Sequence, residues 1–205
     1  MLTRSLVLAL FLSAATTLPA AAGMNTADRN QIVLAARAGD TTRTGEAIAK
    51  AAAARIADQA DGWQIALESV AAQKTRNPRA VGHMAEAASR AAAEIGRSDA
   101  TAGLHLMKAA LATVAEVSTH AQPAAMHVAK AAAGLARRTA SADANRSVET
   151  ILMAISVAGP LQAVDRAAAS AVATDAKAVA DSLRARNTAI AGQIVMAVSK
   201  AKLKS

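Results

Sequence analysis

The 205-residue chain contains no cysteine and no tyrosine, and its only aromatic residues besides histidine are Phe11 and Trp63. The absence of cysteine excludes disulfides, a lipid-attachment cysteine, thiolate zinc sites and cysteine nucleophiles, and it leaves the redox compartment open. With so few aromatic rings there is no ladder of stacking platforms of the kind single-stranded nucleic acid needs. β-Branched and aromatic residues are sparse and never alternate for long, which argues against a broad β-sheet core. Only four prolines occur, and beyond the first segment no apolar run reaches transmembrane length without a charge.

What the chain has in abundance is alanine. Hydrophobic residues make up 53% of the sequence, and alanine supplies more than half of them. Alanine has the best intrinsic helix propensity and lets helices approach closely. Its methyl buries little area, so the core must be built from scattered Leu, Ile, Val and Met. The formal net charge is +8, and a basic surface favours anionic partners.

The start of the chain has the tripartite pattern of a secretory signal. Arg4 supplies a positive charge, Leu6 to Ala15 is a short apolar run, and Pro19 precedes Ala20-Ala21-Ala22-Gly23, a small-residue cleavage pattern. The expectation is a signal peptide over 1–22, cleavage after Ala22, and a single all-helical domain over 23–205 in the periplasm or outside the cell.

From Thr26 onward the chain reads as successive helices. Asn77-Pro78 opens one, with Val81, Met84, Ala88 and Ile95 on one face. Ser98 or Asp99 caps another, in which Leu104, Met107, Leu111, Val114 and Ser118 advance by three and four. Asp61-Gly62 reads as a stop with Trp63 beginning the next helix, and the tail Lys200 to Ser205 reads as frayed. The apolar stretches around Leu67, Met107, Met153 and Met196 are separated by 40, 46 and 43 residues, within the range of helix-pair solenoids. The fold expected is therefore all-α, with alanine-rich helical hairpins forming an α-solenoid of about four helix pairs, and an irregular helical bundle as the alternative. In the solenoid reading these four residues occupy equivalent inward positions.

Catalytic patterns are missing. There is no G-x-S-x-G elbow, no HExxH and no glycine-rich phosphate loop, and Ser199-Lys200 has no supporting context for a nucleophile. Asp58 and Asp61 read as a solvated pair near a helix end, and His83 and His127, 44 residues apart, as neighbours on a solenoid edge. No catalytic, cofactor or metal residues are named, and no cofactor is expected. The sequence points to an exported, non-enzymatic helical-repeat binding or scaffold protein of a bacterial-type envelope. Its partner would be another envelope protein or an anionic lipid or glycan rather than nucleic acid. The alternative is a membrane-surface or envelope-polymer binder acting through the basic C-terminal helix, and a further one is an enzyme with a site that no motif reveals. The tight basic clusters, Arg137 and Arg138 and then Lys200, Lys202 and Lys204, are the candidate anionic contacts.

Overall fold

The computed structural model describes residues 24–52 and 55–204; the expected signal segment and its cleavage position lie outside the described residues. Within them the chain forms nine α-helices and no strand: α1 (Thr26–Arg37), α2 (Thr41–Ala52), α3 (Ile56–Ala71), α4 (Pro78–Ile95), α5 (Ala100–Ala115), α6 (Gln122–Thr139), α7 (Ala144–Leu161), α8 (Arg166–Arg184) and α9 (Thr188–Lys200). Each helix packs on the next and, α2 and α4 apart, on the next but one, and substantial packing reaches no further along the chain. That pattern is a solenoid of two layers, the odd-numbered helices in one and the even-numbered in the other.

The physical period is 22 residues, one helix and one turn. From α3 onward the residues preceding each helix are Arg55, Asn77, Asp99, Ala121, Asp143, Asp165 and Asn187. Five of these seven accept a hydrogen bond from the backbone N–H three residues on, from Ala80, Ala102, Arg146, Ala168 and Ile190. This satisfies a donor that the helix itself cannot.

Counting from the first six of these caps, the eleventh residue is Ala66, Ala88, Ala110, Ala132, Ala154 and Ala176 in turn, every one fully buried. A methyl at that point keeps the helices close. The seventh residue supplies the bulk: Met84, Leu106, Val128, Val172 and Ile194 are all buried, as are Gly62 and Thr150. A core poor in large side chains is thus assembled from one column of small residues and one of mostly larger ones.

The repeat spacing expected from Leu67, Met107, Met153 and Met196 is corrected by this period. Met107 is fully buried and Leu67 nearly so, whereas Met153 is only partly covered and Met196 is 65% exposed. The residues equivalent to Met107, at steps of 44, are Trp63, Ile151 and Val195. Spacings of 40, 46 and 43 drift around the helix, because each added residue turns a side chain by about 100°.

Asp61-Gly62 is not a stop either, since α3 runs through it. Gly62 is where α2 crosses: a Cβ there would lie 2.9 Å from Ile48 Cγ2. Asp58 is buried rather than solvated, and Arg55 Nε lies 3.3 Å from its Oδ2.

The tail is docked, not frayed. Lys202 takes the left-handed conformation at φ 57°, and the Leu203 N–H donates to the Val198 carbonyl at 3.2 Å. This helix-ending turn folds Leu203 into the core. A Cβ on Gly159 would lie 3.1 Å from the Ala201 Cβ, so the ends of α7 and α9 sit together.

Candidate binding cleft

The even layer is close-packed from α4 to α8 but opens at its beginning, where α2 and α4 barely touch. The cause is visible in the chain. Pro78, Gln122 and Arg166, the first residues of α4, α6 and α8, follow at steps of 44, but α2 starts at Thr41, only 37 residues before Pro78. It is also short, with 12 residues against 18 for α4 and α6.

The result is a cleft of about 630 Å³ between α2 and α4, lined by Thr41, Thr42, Gly45, Trp63, Arg90 and Glu94 with the methyls of Ala87, Ala91, Ala93 and Ala131. Trp63 comes from α3, between and beneath the two walls. It stands at the position that Met107 and Ile151 fill in later repeats, where both are fully buried; here the even layer is parted and the indole is only partly covered.

The opposite wall supports this opening. Gly45 lies mid-helix in α2, where alanine would be favoured by roughly 1 kcal/mol, and a Cβ on it would meet the indole at an ordinary 3.7 Å. Close packing therefore does not demand glycine at this point. Its effect is to leave out a methyl that would otherwise contact the ring.

The charged rim is internally compensated. Arg90 Nη1 donates to Glu86 Oε1 at 2.9 Å, and His127 Nδ1 lies 3.2 Å from the same oxygen. Glu94 is paired with Arg97 at 2.9 Å. Glu86 therefore sits between His127 and His83, whose Nδ1 is 4.0 Å from its other oxygen, with a guanidinium already on it. Among the described residues no group of three or more His, Asp or Glu is placed to hold a metal ion.

A second hollow of about 450 Å³ lies at the edge where α5 turns into α6, lined by Arg79, His83, Thr119, His120 and Gln122. On the odd layer Asp61, His105 and Glu149 are 44 residues apart and form a polar row, with Lys108 bonded to Glu149. Burial, helped by the neighbouring Lys108 and Arg146, lowers the His105 pKa below its ordinary value despite Asp61. Burial and the Asp58 charge raise the Asp61 pKa against the pull of His105 and Arg29. Burial works against the charge of Asp143, but hydrogen bonds and charge from Arg146 and a hydrogen bond from Thr101 outweigh it and hold its carboxyl below the usual range.

The two basic clusters named from sequence are not brought together. Arg137 and Arg138 are exposed at the end of α6, with Arg137 Nη1 3.3 Å from Asp175. Lys200, the last residue of α9, and Lys202 and Lys204 just beyond it are exposed, beside the end of α7. Because α6 and α7 are consecutive and antiparallel, these clusters occupy opposite edges, about a helix length or roughly 27 Å apart. What the even layer does gather is a spread of charge. Its four helices carry ten Lys and Arg against five Asp and Glu, whereas the five odd helices carry five of each.

Sequence reasoning missed the cleft and its tryptophan as a site. The available signal was the 22-residue column of buried alanines, against which Trp63 stands where aliphatic residues recur and α2 falls short by seven residues. Comparison with family models, curated proteins and solved structures gave no match.

Proposed function

We propose that the chain is an exported, non-enzymatic binding module of the cell envelope that holds an anionic partner along its even-helix face. The observation that carries this reading is the segregation of charge between the two layers. A solenoid presents one long face per layer, and the excess of cations lies on one of them. Such a surface attracts anionic polymers by many weak contacts, whose strength falls with salt. The absence of catalytic sequence patterns favours binding over turnover, and the start of the chain supports export.

The test is binding of a soluble acidic polysaccharide to the protein at low and high ionic strength. Replacing Lys130, Arg137 and Arg138 together by Gln should weaken binding and flatten its salt dependence. Unchanged affinity in that variant would overturn the even-face assignment. Intact mass of the protein recovered from an envelope or culture fraction should begin at Gly23; the full-length chain in the cytoplasm would remove the export reading.

A second reading has its own support at the last helix. Val195 and Met196 are exposed on α9, next to Lys200, Lys202 and Lys204, an arrangement suited to the surface of an anionic membrane. No described helix is long and apolar enough to cross one. Flotation with anionic vesicles, compared between the native chain and Met196→Asp, separates this reading from the first.

A further inference from the structure

We propose that the cleft between α2 and α4 is a carbohydrate subsite, in which one pyranose ring of a glycan stacks on the Trp63 indole. This rests on the binding reading above and adds to it a ligand class and a place.

Three observations point the same way. A partly covered aromatic side chain lines the cleft at the position that Met107 and Ile151 fill with fully buried aliphatic side chains. A partly exposed indole presents an apolar surface with a polar edge, and the C–H face of a pyranose ring matches that surface. Gly45, on the wall of α2, leaves out a methyl beside the ring where alanine would have served the helix better.

The rim offers both donors and acceptors without a free charge. Thr41 and Thr42 line one side, Arg90 and Glu94 the other, and the last two are already neutralised by Glu86 and Arg97. A phosphate would require an uncompensated cation at the ring, and a quaternary ammonium would be served by an aromatic cage rather than a single face. A neutral ligand rich in hydroxyl groups uses hydroxyl, guanidinium and carboxylate partners together and asks for no net charge. The cleft opens on the even-helix side, so a glycan seated there can continue along the basic face.

Trp63 is the single tryptophan of the chain, so its emission reports on the cleft directly. The full chain is titrated with neutral β-1,4-linked tetrasaccharides of glucose and of N-acetylglucosamine, at low and at high salt. The expected result is a saturable emission change with at least one of them, unaffected by salt. Gly45→Leu places an aliphatic side chain over the ring. It should weaken binding by at least about tenfold, equivalent to roughly 1.4 kcal/mol, while the melting temperature stays at or above that of the native chain. Trp63→Met, which installs the residue of the next repeat, should abolish the heat of binding measured by calorimetry while the fold persists by circular dichroism.

Equal affinity in Gly45→Leu, or binding retained in Trp63→Met, would overturn the cleft as the site. Silence with both sugars alongside a response to a mononucleotide would overturn the glycan assignment, and silence with all probes would overturn both. Loss of the salt-sensitive polysaccharide binding alone would fall on the even-face reading instead, since neutral sugars do not depend on it.

Discussion

Gly103 lies so close to Gly96 that a Cβ on Gly103 would sit 2.5 Å from the Gly96 Cα and 2.8 Å from the Ala92 carbonyl oxygen. The atoms in the way belong to backbone, which cannot swing aside. Gly103→Ala should therefore destabilise the protein by about 1–3 kcal/mol, as overpacking does. In Gly45→Ala the added methyl meets only the indole at 3.7 Å, and the melting temperature should rise, with a gain of up to about 1 kcal/mol. Chemical denaturation of the two variants side by side reads the difference, and equal shifts of the same sign would contradict the packing described.

The 22-residue period makes a contrast between two methionines. Met107 is fully buried and Met196 is exposed. Met107→Asp would place a carboxylate in an apolar layer and should cost about 3–5 kcal/mol or prevent folding. Met196→Asp should change stability by less than about 0.5 kcal/mol. Thermal melts followed by circular dichroism distinguish the two, and similar melting temperatures would rule out the orientation of α5 and α9.

Thr150 occupies the column otherwise filled by Met84, Leu106, Val128, Val172 and Ile194, and its hydroxyl is buried with no hydrogen-bond partner. Thr150→Val keeps the shape and removes the unsatisfied group. The variant should be more stable by about 1 kcal/mol, measured as a higher denaturant midpoint at unchanged slope. A loss of stability would show that the hydroxyl is bonded in solution.

The half-buried His105 sets a pH dependence. Its pKa in the folded chain lies below the ordinary 6.5, so the unfolded chain takes up a proton first as pH falls. Stability should therefore drop below pH 6.5 until the folded pKa is passed. In His105→Gln that part of the decline should be absent. Asp61 acts in the opposite sense. With its pKa raised above 3.8, its contribution is full below that value and lost as pH rises through the folded pKa. Asp61→Asn should melt higher than the native chain at neutral pH, and the advantage should disappear in acid. Parallel melting curves across the pH range for native and variant proteins would contradict both assignments.

Helix identity and most helix starts were legible in the residues themselves. Asn77-Pro78 and Asp99 act through hydrogen bonds to a backbone N–H three residues away, and a local interaction is written in local sequence. The inward face of α5 was legible for the same reason, because Leu104, Met107, Leu111 and Val114 follow the helical repeat. Lys200, Lys202 and Lys204 were correctly seen as basic, but the docking of Leu203 depends on a turn closed by the left-handed Lys202 and on a place in the core prepared by other helices.

Gly62 shows where local reading ends. An Asp-Gly pair has the composition of a turn, and nothing nearby in the chain reveals that Ile48 needs the missing Cβ. Only the crossing of α2 over α3 decides it, and the helix then continues because a bound neighbour outweighs the modest propensity cost of one glycine. The same holds for Trp63. The sequence by itself determined that the chain would be helical, alanine-packed and basic, since propensity, side-chain volume and charge belong to residues. Tertiary structure decided which charges share a face and that the single indole lies in an opening, because both depend on how far α2 stands from α4, a distance set by the packing of three helices together.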